Sequence, residues 1–126
     1  QFAYAGLKDD KQMRAARSKT LSLVEQYAAV NPNDAQAQSM LSMLYADDKL
    51  RDKALARAKF ALALAPKDPW ILADVAETYL DLGDRSRALQ LIHQSLENGY
   101  TLPDLQQRPT LLPLLADPSL GEILRK

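Results

Sequence analysis

The feature that most limits the fold is a sequence period of 34 residues in the middle of the chain. Asn-Pro-Asn-Asp at positions 31–34 recurs as Ala-Pro-Lys-Asp at 65–68, and Tyr45 recurs as Tyr79. Small residues recur in the same frame, in the pairs Ser42/Ala76, Ala54/Ala88 and Ala61/Ser95. Two helices can cross closely only where their side chains are small, so this period predicts a stack of two-helix units.

The composition favours an all-α fold. Leu and Ala supply 23 and 19 of the 126 residues, whereas the β-branched residues number three Val, three Ile and four Thr. Leu and Ala enter helices at little cost, and β-branched residues fit a pleated sheet better. There is no Cys, so the chain has no disulfide, and a chain without Cys is compatible with a cytoplasmic or a periplasmic location.

Capping signals divide the repeated region into helices. Asp68-Pro69 is typical of a helix start, with Pro at the first helical position, and Gly83-Asp84 is typical of a stop followed by a new cap. Asn98-Gly99 ends the last helix of the region. These signals predict two antiparallel helical hairpins, with helices over 35–46, 50–65, 69–82 and 85–97.

These residues resemble the tetratricopeptide repeat, a helix–turn–helix unit of the same length. Residues 35–68 match its small, aromatic and proline positions at Ser42, Tyr45, Ala54, Ala61 and Pro66. Residues 69–102 match at Ala76, Tyr79, Gly83, Ala88 and Ser95, but place Tyr100 at the proline position. The resemblance implies an α-solenoid of antiparallel helix hairpins, in one domain over residues 1–126.

Residues 1–34 fit the repeat poorly and are interpreted as a degenerate first unit. Counting back one period puts Lys8, Thr20 and Tyr27 at the three small positions. We expect a turn at residues 8–10, a long helix from Lys11 to Val30, and a remnant of a partner helix over 2–7. Because the pattern starts in the middle of a unit, we expect the chain to be a piece of a longer protein.

Residues 103–126 leave the repeat and are predicted to form a C-terminal cap. Residues 101–126 hold four of the seven Pro and eight Leu, which is too apolar for a linker and too interrupted for one helix. The last repeat of a solenoid exposes a face that needs covering.

The cap is either only a hydrophobic lid, or a lid that also enters the groove of the repeats and is displaced by a ligand. The side chains expected to cover that face are Leu105, Leu111, Leu112, Leu114 and Leu115, followed by a helix that Asp117-Pro118 begins and that carries Leu120, Ile123 and Leu124. The tail also looks like the segment that closes tetratricopeptide arrays in multidomain bacterial signalling proteins.

No motif points to catalysis, to a metal or to a cofactor. His93 is the only His, and no Cys or suitably spaced carboxylate accompanies it. The glycine-rich and nucleophile motifs of nucleotide-binding proteins and hydrolases are missing. The acid pairs at 9–10 and 47–48 are expected at helix junctions, where they complement the helix dipole. We therefore predict a protein that is not an enzyme and that needs no cofactor.

The resemblance implies that the first helix of each hairpin lines a concave groove in which peptides bind. The groove positions are Gln36, Ser39, Met40, Met43, Ala46 and Asp47 in the first good unit, and Trp70, Ala73, Asp74, Glu77, Leu80 and Asp81 in the second. Members of the family that clamp an acidic C-terminus use basic residues and Asn at these positions. The acids here would repel such a terminus, so an apolar or weakly basic segment is the better match. Equally, the Met and Trp side chains could contact only neighbouring helices or the tail.

Charge excludes some classes of partner. The net charge is zero, made of +3 in residues 1–66 (10 basic, 7 acidic) and −3 in residues 67–126 (6 basic, 9 acidic). This balance gives no strong field for nucleic acid, and no apolar run is long enough for membrane insertion.

The sequence therefore predicts a non-catalytic module that binds a protein or peptide, as part of a larger protein. A structural spacer or homo-oligomerisation module is the first alternative, and a sensor that binds a small ligand in the groove is the second.

Overall fold

The computed structural model describes the backbone of residues 2–124 and the side chains of residues 11–121. Over this range the chain forms helices and no strand, which confirms the all-α prediction. The helices are α1 (Phe2–Val30), α2 (Ala35–Asp47), α3 (Arg51–Leu64), α4 (Pro69–Asp81), α5 (Arg85–Glu97), α6 (Leu102–Gln106), a 3₁₀ helix (Pro109–Ala116) and α7 (Pro118–Leu124). Helices α2 to α5 begin and end within one residue of their predicted bounds.

Aspartates begin three of the four repeat helices. The side chain of Asp34 accepts a hydrogen bond from the backbone N–H of Ala37, and Asp68 and Asp84 cap α4 and α5 in the same way. Gly83 ends the preceding turn with φ at +89°, in the left-handed region that glycine adopts without strain. The capping prediction is therefore confirmed, and these caps fix where each hairpin turns.

Small residues fill the helix crossings, as the period predicts. Two of the six small residues at these crossings also make hydrogen bonds. The hydroxyls of Ser42 and Thr78 lie 2.8 Å apart, and the Ser95 hydroxyl donates to the carbonyl of Pro69 at 2.7 Å. Helix α2 packs against α3 and α4 against α5, while α2 also packs along α4. The fully buried small residues are Ser42, Ala54, Ala61, Ala76, Ala88 and Ser95.

The N-terminal prediction is wrong in one respect, because α1 is a single helix of 29 residues with no turn at 8–10. The sequence Lys-Asp-Asp contains no Gly or Pro, so a helix can pass through it. Asp9 and Asp10 therefore lie within α1 and not at a junction. The side chains of 2–7, expected to belong to a partner helix, are outside the described residues.

Among the described side chains of α1, those of its C-terminal part pack in the core of the repeats. Ala28 is buried, and Leu21 and Val24 pack against the smaller of two core clusters, which contains Leu41 and Tyr45 of α2. Thr20 and Tyr27, at two of the supposed small positions, are exposed. Helix α1 therefore does not form the close crossing that the repeat needs.

The tail packs on α4 and α5 as a cap. Leu105, Leu111, Leu114 and Leu120 are fully buried in the larger core cluster, to which α4 and α5 contribute most. Asp117 accepts a hydrogen bond from the backbone N–H of Ser119 at 3.0 Å, which begins α7.

The remaining leucines of the tail take other positions. Leu112 is exposed and Leu115 is half-buried, because the 3₁₀ helix turns only one of its sides to the core. The side chains of Ile123 and Leu124 lie outside the described residues. Among the helices that the structure describes, none has the length and apolar character needed to cross a bilayer.

The buried crossings predict the effect of larger side chains. Because Ala54 and Ala88 are fully buried, Ala54→Leu and Ala88→Leu should each lower the free energy of unfolding by about 1–3 kcal/mol through overpacking. Urea denaturation followed by circular dichroism measures this. Ala15→Leu, at an exposed position in α1, is the control and should leave stability nearly unchanged. Unchanged midpoints in both core variants would contradict the register of the repeats.

Candidate functional site

A cleft of about 690 Å³ lies between α2 and α4, and we call it the α2–α4 cleft. Its walls come from the N-terminal parts of the two helices and from their capping residues. The tail supplies one further wall residue, Arg108. The cleft is lined by Asp34, Ala35, Gln36, Met40, Met43, Asp68, Trp70, Ile71, Asp74 and Arg108.

The structure brings five of the predicted groove residues together in this cleft. Gln36, Met40 and Met43 come from successive turns of α2, and Trp70 and Asp74 come from α4. Trp70 is 60% exposed, which is unusual for the largest apolar side chain. The cleft therefore presents an apolar surface with acids beside it.

Four other groove positions have their side chains turned inwards. Ser39, Ala46 and Ala73 are fully buried, and Leu80 is half-buried against the larger core cluster. The hydroxyl of Ser39 donates to Asp74 Oδ2 at 2.8 Å. Because α2 packs along α4, the side chains between these helices are not available to a ligand.

Arg108 binds the acids of the α4 wall. Its Nη1 lies 2.7 Å from Asp74 Oδ1 and 2.5 Å from Glu77 Oε2. The three side chains are only 11%, 14% and 17% exposed. The sequence predicts an apolar or weakly basic partner segment beside these carboxylates, whereas in the structure they pair with an arginine of the chain itself.

Two aromatic rings complete the surroundings of Arg108. Its guanidinium carbon lies 5.5 Å from the ring centres of both Trp70 and Tyr100, and its Nε donates to the Tyr100 hydroxyl. The two rings meet edge to face, with centres 5.6 Å apart. Planar guanidinium groups stack favourably on such rings, so Arg108 is held by charge, hydrogen bonds and ring contacts together.

The pKa values reflect this enclosure. Burial raises the pKa of the Tyr100 hydroxyl, although the Arg108 charge acts in the opposite direction. Burial by itself would lower the pKa of Arg108, but the hydrogen bond with Tyr100 and the carboxylates of Asp74 and Glu77 raise it above its ordinary value. The guanidinium therefore stays charged at neutral pH.

Sequence reasoning did not identify Arg108 as part of the site. The available signal was that Arg108 is the one basic residue between positions 101 and 124, in a segment rich in Leu and Pro. An acidic groove wall and a lone arginine in the segment that covers it form a complementary pair. Which wall the arginine reaches depends on how the cap folds back.

The apolar surface of the α2–α4 cleft continues towards α1. A second cavity of about 270 Å³ shares Gln36 and Met40 with it and adds Leu23, Val24 and Tyr27. The Tyr27 hydroxyl donates to Asp34 Oδ2 at 2.7 Å, and this bond raises the pKa of Tyr27 and lowers that of Asp34. An apolar strip therefore runs from Trp70 through Met40 to Leu23.

The remaining predicted acids, Asp47 and Asp81, are near each other and apart from the cleft lining. Lys49 Nζ lies 3.3 Å from Asp81 Oδ1, and Arg17 Nη2 lies 3.7 Å from Asp47 Oδ2. Burial, a hydrogen bond with Asp81 and the Asp81 charge raise the pKa of Asp47 to about 6, against the opposing effect of Arg17.

His93 and the buried polar side chains outside the cleft have partners within the protein. His93 is half-buried, and its Nε2 lies 3.1 Å from the Ser119 hydroxyl. Among the described residues, no group of three His, Asp or Glu is placed to hold a metal ion. Within residues 11–121 every buried side-chain nitrogen and oxygen has a hydrogen-bond partner.

Comparison with known proteins identifies a family. A family model described as Tetratricopeptide repeat matches residues 45–107, which is half of the chain. The match spans α3, α4, α5 and α6 and ends one residue before Arg108. No curated protein matches the sequence significantly.

The raised pKa of Asp47 predicts a dependence of stability on pH. The folded protein binds a proton at Asp47 near pH 6, whereas the unfolded chain binds it only near pH 4. Ionised Asp47 therefore opposes folding at pH 7, and this effect disappears as the pH falls from 7 to 4. Asp47→Asn should be stabilising at pH 7, with an advantage that shrinks towards pH 4.

Urea denaturation at several pH values checks this prediction. In an Asp81→Asn background the pH dependence of the Asp47→Asn effect should be smaller, because the second carboxylate is gone. An Asp47→Asn effect that is constant from pH 4 to pH 7 would refute the coupling.

Proposed function

This chain belongs to the tetratricopeptide repeat family, and from that premise we propose that it binds a peptide or protein segment in the α2–α4 cleft. Repeats of this family generally mediate protein–protein interaction. On this proposal the chain is a non-catalytic interaction module within a larger protein.

The observation that carries the proposal is the exposed indole of Trp70. It stands in the cleft wall opposite the flexible side chains of Met40 and Met43, and 60% of its surface is open. Binding energy at interfaces concentrates on aromatic anchors of this kind, and methionine adapts its shape to varied apolar partners. An apolar side chain of a partner would remove this surface from water.

Charge supports a partner that is apolar or weakly basic. Asp34, Asp68 and Asp74 lie at the cleft, and Arg108 offsets only part of their charge. The acidic C-terminus of a protein would meet like charges there, which disfavours it. Of the predicted groove residues, those proposed to touch the partner are Gln36, Met40, Met43, Trp70 and Asp74.

Homo-oligomerisation is a second candidate, favoured by α1. Leu23, Tyr27 and Val30 are exposed and lie on one face of the helix at spacings of four and three residues. A copy of the chain could cover this stripe. Sedimentation at increasing concentration would reveal it, and Leu23→Glu should then keep the chain monomeric.

A small-ligand sensor is supported by the cleft volume, which falls within the range of ligand sites. A ligand present at 100 times its dissociation constant should stabilise the fold by about 2.7 kcal/mol. Thermal shifts across a metabolite panel would therefore identify it.

The tail's likeness to closing segments of bacterial signalling proteins supports placing this module in such a protein. The sequence that precedes the module in the full protein would test this.

Selection of peptides tests the cleft proposal. We expect a random peptide library, panned on the wild-type chain, to yield peptides with an apolar residue. Isothermal titration calorimetry measures the affinities, because Trp70 is the only Trp and a fluorescence signal would be lost in Trp70→Ala. Trp70→Ala should weaken the selected peptides by about tenfold or more, because it removes the anchor.

Leu112→Ala is the matched control, since Leu112 is an exposed apolar residue of the cap. It should leave peptide affinity unchanged, and circular dichroism confirms that both variants fold. Equal affinities for wild type and Trp70→Ala would exclude the cleft as the binding site. Met40→Ala, whose effect should be smaller than that of Trp70→Ala, probes the opposite wall.

A further inference from the structure

We propose that Asp74, Glu77, Trp70 and Tyr100 form a guanidinium-binding site, which Arg108 occupies in the free protein and an arginine of the partner occupies in the complex. This inference rests on the proposed function and adds to it the chemistry of the partner, namely an arginine next to an apolar residue. On this proposal the tail and the partner compete for the same guanidinium-binding site.

The site is built for a guanidinium group and not only for a positive charge. Two carboxylates accept from Nη1 of Arg108, a phenol hydroxyl accepts from its Nε, and the centres of two aromatic rings lie 5.5 Å from its guanidinium carbon. An ammonium group has neither the flat face nor the fork of donors that such an arrangement fits. Lysine should therefore be a poor substitute.

The Arg108 side chain is able to leave without unfolding the cap. The backbone N–H of Arg108 donates to the carbonyl of Leu105 at 3.0 Å, and its own carbonyl accepts from Leu111 at 3.0 Å. Leu105 and Leu111 are fully buried in the larger core cluster. The chain on both sides of Arg108 is therefore anchored by contacts in which the guanidinium takes no part.

A partner arginine has a route to Asp74 through the α2–α4 cleft. Arg108, Asp74 and Trp70 all line the α2–α4 cleft, beside Met40 and Met43. A segment whose apolar residue lies on the methionines would bring a neighbouring arginine to Asp74. Because one guanidinium replaces another, the two buried carboxylates have a positive partner both in the free protein and in the complex, and the complex avoids the large cost of an unpaired buried charge.

Occupation by Arg108 weakens the apparent affinity for the partner. A ligand binds only the fraction of molecules from which Arg108 has withdrawn, so its measured dissociation constant is increased by the inverse of that fraction. Because Arg108 is tethered within the chain, it competes at a high effective concentration. Removing the Arg108 side chain should therefore increase affinity.

The test uses the whole chain with Arg108→Ala and the probe N-acetyl-arginine amide, followed by Trp70 fluorescence. We expect Arg108→Ala to bind the probe at least about tenfold more tightly than wild type does. The lysine analogue of the probe should bind Arg108→Ala several-fold more weakly than the arginine probe. Adding Asp74→Asn and Glu77→Gln to Arg108→Ala should abolish binding.

Arg85→Ala is the matched control, because Arg85 lies 3.6 Å from Asp117 on another face of the cap. It should bind the probe as weakly as wild type. If Arg108→Ala does not fold by circular dichroism, Arg108→Lys replaces it, and it should show the same gain in a smaller measure. No gain for the folded variant, or equal binding of the arginine and lysine probes, would overturn the proposal.

The selected peptides separate this inference from the proposed function. Peptides that contain arginine and bind Arg108→Ala more tightly than wild type support both. Peptides that need Trp70 but gain nothing from Arg108→Ala support the cleft and refute the exchange. Probe binding to Arg108→Ala without any selected peptide supports the guanidinium site and refutes the proposed function.

Discussion

Close contact between helices at small residues is the constraint on which the rest of this structure depends. Ser42, Ala54 and Ala61 in one repeat, and their counterparts in the next, are fully buried where helices meet. Larger side chains there would separate the axes, and interiors packed to crystal-like density have no room to absorb the change. Because α2 lies directly along α4, the outer side chains of these two helices form the walls of one cleft. The candidate site is thus a consequence of how closely the repeats stack.

The two ends of the described helix stack are covered to different extents. At the C-terminal end, four leucines of the tail enter the core of the last repeat and complete it. At the other end, the C-terminal part of α1 packs on α2, where its Glu25 also accepts a hydrogen bond from Tyr45 at 2.7 Å. A solenoid must cover its terminal faces to remain folded and separate from other molecules. The tail meets this need on α4 and α5, whereas α1 leaves an apolar stripe exposed.

The acidic wall of α4 links the cap to the cleft. Asp74 and Glu77 are nearly buried, and a buried carboxylate is stable only with a compensating partner. Arg108 provides that partner from the tail and offsets one of the two negative charges of the wall. A ligand that competes with Arg108 must likewise bring a positive charge to Asp74 and Glu77.

The sequence by itself determined the repeat, the bounds of four helices and the residues at their crossings, because these depend on local spacing, helix caps and side-chain size. It misplaced the turn at 8–10, since aspartates are compatible with both a cap and a helix interior. Gln36, Met40, Met43, Trp70 and Asp74 were expected in the groove from the resemblance to the repeat and share one cleft, whereas Ser39 and Ala73 were expected there on the same ground and are buried. Only the tertiary structure decided which face α4 turns to α2, and that the tail brings Arg108 to Asp74 and Glu77. Contacts between residues more than thirty positions apart depend on the path of the chain through space, which no local pattern encodes.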